Sequence, residues 1–206
     1  MTIILIITTS LISILAFNNH DLFSKLQFNA YQVYHRKQWY RLITHGFIHA
    51  DYWHLIINMF VLFFFGRNTE AYLKELVRNG IITMPVVVFL LLYFISMAFA
   101  STISLFKHKD DIWYNSVGAS GAVSALLFFS IFFDPWSTIT VYFIPVYGII
   151  FALLYVFYCH YMARRGGDNI AHEAHLLGAV FGFIFPLFLN FNLYKFFIHQ
   201  LLSFRF

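Results

Sequence analysis

The chain has 206 residues, 61% of them hydrophobic and 22% aromatic, while 11% are charged. Soluble domains carry about 25% charged residues, and a soluble globule this apolar would lack the polar surface to cover itself. That excludes a cytosolic enzyme, a disordered chain and a disulfide scaffold. With Cys159 as the only cysteine, no internal disulfide can form, and its apolar surroundings read as inert packing. The 13 basic residues are scattered, so the net charge of +4 makes no case for a nucleic-acid partner. An integral membrane protein of one domain remains; six spanning helices of about 20 residues would use about 120 of them.

The first apolar run, Ile3 to Phe17, has no basic flank and is followed by Asn18, Asn19 and His20, which offer no small-residue cleavage site. It is expected to span the membrane rather than act as a signal peptide. Residues 18–52 hold Asp21, Lys25, Arg36, Lys37, Arg41 and Asp51 among many aromatics. Such a charged yet aromatic stretch predicts a long interfacial or re-entrant element after helix one.

A second span is expected over about 53–72, apolar from Trp53 to Gly66 and amphipathic through Leu76. The third covers about 81–106, with Pro85 in its first turns, where proline is tolerated. A charged loop over 107–115 leads to a fourth span over about 117–133, ended by Asp134-Pro135. The fifth covers about 138–162 with Pro145 as a kink. The turn Arg164-Arg165-Gly166-Gly167-Asp168 precedes a sixth span over about 170–189. The tail from Leu193 to Phe206 is amphipathic and expected to lie on the membrane.

Polar groups inside a membrane are costly, so each is a functional candidate. His54 and Asn58 are four apart and share a helix face at the mouth of an apolar helix. His45 and His49 have the same spacing just before, and read as an interhelical hydrogen-bond network. Gly118-Ala119-Ser120-Gly121 opens the fourth span, putting Ser120 in a first turn whose free N–H groups can stabilise an oxyanion. His175 lies one turn before Gly178, and Gly178-x-x-x-Gly182 is a close-packing face. If that face meets Gly121-x-x-x-Ala125, His175 comes beside Ser120, and a serine within reach of a histidine is an activated nucleophile. Glu173, two positions from His175, should point elsewhere.

These motifs resemble those of the rhomboid family of intramembrane serine proteases, in its minimal six-helix form. The likeness runs over about residues 39–185. It rests on the His-x-x-x-x-His-x-x-x-Asn run of His49, His54 and Asn58, on Gly-x-Ser-Gly at Ser120, on Ala-His-x-x-Gly-x-x-x-Gly at His175, Gly178 and Gly182, and on Gly66-x-x-x-Glu70. The resemblance implies an all-α six-transmembrane-helix bundle with a membrane-embedded loop after helix one. It implies a Ser120–His175 dyad, and an oxyanion hole built from the Ser120 N–H, His54 and Asn58. His49, Gly118, Gly121, Arg41 and Glu70 take supporting places. Arg41 matches the arginine of a Trp-Arg signature, with Tyr40 in the tryptophan's place and Trp39 adjacent. The tyrosine that the family often carries four residues after the nucleophile, and on which the histidine ring stacks, is Ser124 here.

The implied substrates are transmembrane segments of other proteins, entering from the lipid bilayer between helices two and five. No cofactor or metal is implied. The site would lie near the outer face, with the N-terminus in the cytoplasm. A count of Lys and Arg over the odd and even loops, eight against five, favours the opposite orientation. A single domain without a targeting peptide fits a bacterial inner membrane. Two other readings stay open. One is a non-catalytic rhomboid-like protein that binds membrane clients, which would be expected to lack the serine or the histidine. The other is a metal-dependent membrane enzyme or transporter using His45, His49, His54, His172 and His175.

Overall fold

The computed structural model describes residues 1–141, 143–167 and 170–203. The chain is mostly helical. Helix α1 (Thr2–Phe17) leads into the 18–52 segment, which folds as α2 (His20–Leu26), β1 (Phe28–Asn29), α3 (Ala30–Tyr34), α4 (Arg41–Thr44) and a 3-10 turn over His45–Phe47. Helix α5 (Tyr52–Arg78) follows, then α6 (Pro85–Ala100), α7 (Thr102–Lys107), β2 (Asn115–Ser116), α8 (Ser120–Phe133), the hairpin β3 (Thr138–Val141) and β4 (Ile144–Tyr147), α9 (Gly148–Arg165), α10 (His172–Leu189) and α11 (Leu193–Leu202).

Helix α8 is the centre of the molecule. Every residue from Gly121 to Phe133 is buried, as expected of a helix that is apolar all round. It packs against α5, α6, α9 and α10. Its 14 residues rise about 21 Å, short of the ~30 Å hydrocarbon core of a bilayer. A central helix too short to cross starts below the membrane surface if its other end reaches the far one. Ser120 is its first residue.

The close-packing face is where the glycine spacing puts it. A Cβ on Gly178 would collide with the carbonyl oxygen of Gly121, and one on Gly182 with that of Ala125. Both pairs advance by four residues, so α8 and α10 run parallel with their backbones in contact.

By length and composition, two of the described helical stretches are apolar enough to cross a membrane: Pro85–Lys107, which joins α6 and α7, and α10. A third follows if Arg41–Phe47 and α5, bent by 97°, count as one broken span. Helices α1 and α8 are apolar but shorter. Pro85 occupies the first turn of α6, as expected.

The expected fifth span is corrected at its start. Residues 138–147 form the β3–β4 hairpin, with Thr138 opposite Tyr147 and Val141 opposite Ile144. Pro145 therefore sits in a strand rather than at a helix kink, and the helix begins at Gly148. The β-branched run of this stretch favours a strand, and proline is accommodated in a two-stranded edge ribbon. The fourth helix likewise begins at Ser120, not at 117, because Gly118 takes a left-handed φ of +113°. Helix α9 ends at Arg165; Asp168 of the expected turn, and residues 204–206 of the expected tail, lie outside the described residues. The tail helix packs on the far end of α8, where Phe197 stacks on Phe132 at 5.1 Å and the Trp136 indole N–H donates to Leu201 O at 3.1 Å.

The segment after α1 is a folded element. Arg41, 7% exposed, holds it from inside: Nη1 donates to Ser24 O at 2.8 Å and Gln27 O at 2.6 Å, and Nε donates to Gln38 Oε1 at 2.6 Å. Strand β1 pairs with β2, so Phe28 faces Ser116, four residues before Ser120. At the opposite end of α1, Glu70 Oε1 accepts from the Met1 amine and the Thr2 N–H, and the Thr2 side chain fills the space over Gly66.

Candidate active site

The loop before Ser120 is held by backbone and histidine contacts. Gly118 N–H donates to His45 O at 2.9 Å, and Ala119 N–H points at His49 Nε2 at 3.4 Å. Ser13 Oγ lies 3.0 Å from both Phe47 O and His49 Nδ1. One proton arrangement satisfies all of these: Nδ1–H donates to Ser13, the Ser13 hydroxyl donates to Phe47 O, and Nε2 accepts from Ala119. His45 Nε2 lies 3.1 Å from Ser101 Oγ. His45 and His49 therefore form the expected interhelical network, tying α1, the 18–52 segment and α6 to the start of α8.

Helix α5 is capped by Asp51, whose carboxylate accepts the His54 N–H at 2.8 Å. The cap sets His54 one turn into the helix, with its ring edge-on to His49 at 5.0 Å. The His54 imidazole lies against Gly118: a Cβ there would be 2.7 Å from Cε1 and 2.8 Å from Nε2. Only glycine fits this backbone, for its positive φ and for the ring beside it. Asn58, buried, donates from Nδ2 to His54 O at 2.8 Å; an amide group has a second N–H to offer. His54 and Asn58 thus share a face, as their spacing predicts.

Ser120 is half-buried and opens α8 with Ala119 as its N-cap, so its N–H belongs to the unpaired first turn. His175 is half-buried in the first turn of α10. Since α8 and α10 run parallel and touch at Gly121 and Gly178, both residues lie at the same end of one helix contact. Gly121 is wedged further: a Cβ on it would be 2.6 Å from Ala100 Cβ. Beside Ser120 is a small cavity whose lining includes His45, Ser101, Ser104, Ser116 and Ala174.

Glu173 accepts from Lys107 Nζ at 2.7 Å. His172 is buried, with its ring 6.1 Å from that of His175 and 5.6 Å from Tyr158. Among the described residues no three His, Cys, Asp or Glu side chains are grouped as metal ligands. Two side chains were not singled out from the sequence. Tyr155 of α9 lies parallel to the His175 ring, with centroids 6.5 Å apart and planes 11° apart, and its hydroxyl is 2.7 Å from Ser124 Oγ. Lys107 pairs with Glu173 across 66 residues. Neither carries a local sequence signal, although Ser124 in a place where tyrosine is usual was a pointer to the first.

Residues 36–190 match the family profile described as the Rhomboid domain. A curated relative, RHOMBOID-like protein 12, mitochondrial, from Arabidopsis thaliana, is 32% identical over 145 residues, which cover 67% of this chain and 43% of that protein. The chain therefore spans less than half the length of this relative. The relative's mitochondrial name lends no support to a bacterial inner membrane as the host. A Rhomboid domain makes the chain an integral membrane protein, and the matched stretch contains Ser120, His175, His54 and Asn58. On that match the chain belongs to the rhomboid family.

Proposed function

We propose that the chain is an intramembrane serine endopeptidase that cleaves transmembrane segments of other proteins, with Ser120 as nucleophile and His175 as general base. The observation that carries this reading is the backbone contact of Gly121 with Gly178, which joins the helix that Ser120 opens to the helix that holds His175 in its first turn.

In the proposed reaction, His175 takes the Ser120 hydroxyl proton as Oγ attacks the peptide carbonyl. The oxyanion of the tetrahedral intermediate accepts hydrogen bonds from the Ser120 N–H and from the His54 and Asn58 side chains. Collapse expels the amine, which takes the proton from His175. Water, activated by the same histidine, then hydrolyses the acyl-enzyme. The polar lining of the cavity beside Ser120 suits such a water.

The proposed architecture is a single domain of six spans, counting α1, α5, α6 with α7, α8, α9 and α10, with the N-terminus in the cytoplasm and the site near the outer face. Substrate enters between α5 and α9. The looseness of α9 supports that path: of its 18 residues only Gly148, Ala152 and Cys159 are buried.

The deciding experiment is cleavage of a reporter transmembrane substrate by purified protein in detergent, with and without EDTA. The expected result is that Ser120→Ala and His175→Ala each abolish cleavage and that EDTA has no effect. Cleavage that survives Ser120→Ala refutes the serine mechanism, and loss with EDTA points to a metal.

A further inference from the structure

Helix α9, in which only Gly148, Ala152 and Cys159 are buried, contributes the side chain lying parallel to the His175 ring. Tyr155 reaches from α9 toward both helices of the proposed dyad. Its hydroxyl is 2.7 Å from Ser124 Oγ, one turn after Ser120 on α8. Its ring is parallel to His175 within 11° at a centroid separation of 6.5 Å, inside the range of productive aromatic pairs. Phe128 of α8 and Phe151 of α9 flank the same ring at 5.4 and 5.6 Å. A tyrosine has two side-chain torsions, and with its ring flanked and its hydroxyl anchored both are fixed.

A ring parallel to the imidazole can hold its plane. In a serine–histidine–acid triad the carboxylate holds the imidazole in plane. Here the nearest acid in sequence, Glu173, is engaged by Lys107 at 2.7 Å. Two aromatic side chains meet the His175 ring. His172 meets it at 66°, whereas Tyr155 lies parallel to it and is also hydrogen-bonded to the serine's own helix.

We propose that Tyr155 is a positioning residue for His175, anchored through its hydroxyl to Ser124, so that the stacking aromatic is supplied from α9 instead of from α8. Ser124, the position where relatives often have tyrosine, then becomes the anchor of the tyrosine that replaces it. A consequence is that a shift of α9 which opens the bundle to a substrate also loosens the general base until α9 returns.

This inference rests on the Ser120–His175 reading, and its test separates the two. The readout is covalent labelling of Ser120 by a fluorophosphonate probe in the purified full chain, resolved into a maximal rate and a half-saturating probe concentration. Labelling that persists in Ser120→Ala, or is unaffected by His175→Ala, refutes the dyad and the positioning role with it. With the dyad intact, Tyr155→Leu is expected to lower the maximal rate about three- to tenfold, the worth of one aromatic pair, with half-saturation unchanged. Tyr155→Phe keeps the ring and Ser124→Ala keeps the tyrosine; both delete the anchoring hydrogen bond, and Tyr155→Phe also removes the contact of the hydroxyl with Cys159. Both are expected to lose about two- to threefold. A Tyr155→Leu protein that labels at the wild-type maximal rate overturns the proposal. If that variant does not fold, Ser124→Ala carries the test, and an unchanged maximal rate in it overturns the proposal equally.

Discussion

Gly178 meets Gly121 backbone to backbone: a single methyl group on Gly178 would collide with the Gly121 carbonyl oxygen. The obstacle is main chain on both sides, so no rotamer change relieves it. Gly178→Ala must push α10 away from α8, at a cost of about 1–3 kcal/mol. Displacing the helices by even 1 Å at the site is expected to lower Ser120 labelling by on the order of 100-fold. Gly182→Ala meets Ala125 in the same way but one turn further from Ser120. It should cost similar stability and less labelling. Thermal unfolding in detergent alongside fluorophosphonate labelling measures both; equal labelling in Gly178→Ala and wild type would refute the placement of Ser120 and His175 at this contact.

Gly118 separates the same two effects differently. Its φ of +113° and the His54 ring beside its Cα exclude any side chain. Gly118→Ala should cost about 1–3 kcal/mol of backbone strain and displace His54. If His54 helps to hold the oxyanion, labelling falls on the order of 100-fold, as for loss of one such donor, while the protein stays folded. A variant that labels within twofold of wild type would remove His54 from the oxyanion hole.

Acid sensitivity should report on His49. Burial, and secondarily the neighbouring His54, push its imidazole down to about 3, against about 6.5 in an unfolded chain. Below about pH 6.5 the unfolded state binds a proton that the folded state refuses. The neutral histidine's contribution is thus complete above that pH and is lost as pH falls toward 3. Unfolding followed between pH 7 and 4 is expected to show stability declining, and His49→Gln, which cannot take up the proton, to show a shallower decline. Ser13→Ala removes the partner of Nδ1 and should cost about 1 kcal/mol at neutral pH.

The parts of the fold and site that were legible in the sequence are those set by local spacing. Gly178 and Gly182 announce a close helix contact because nothing else explains glycines four apart in an apolar helix. His54 and Asn58 announce a shared face, and Pro85 a helix start. The β3–β4 hairpin was missed because a short β-branched run, Thr138 to Val141, reads equally as the start of a buried helix. Tyr155 was missed for another reason. Its place beside His175 comes from the packing of α9 on α8 and α10, and no periodicity within α9 distinguishes it from Tyr158 or Tyr161, which are exposed.

Lys107 and Glu173 give a last prediction, which separates a dyad from a triad. Glu173 is two residues from His175, and an acid that oriented the imidazole would be expected on a shared face, three or four residues away. Its carboxylate instead pairs with Lys107, whose side chain is 52% exposed against 23% for Glu173. An ion pair this open is worth about 0–1 kcal/mol and weakens with salt. Glu173→Gln is therefore expected to leave Ser120 labelling within about twofold of wild type, since it changes only an ion pair of that size. The exchange of Lys107→Glu with Glu173→Lys should restore whatever stability either single change removes. In a triad, neutralising the acid costs about 10⁴ in rate. A loss of that size in Glu173→Gln would make Glu173 the third member of the site.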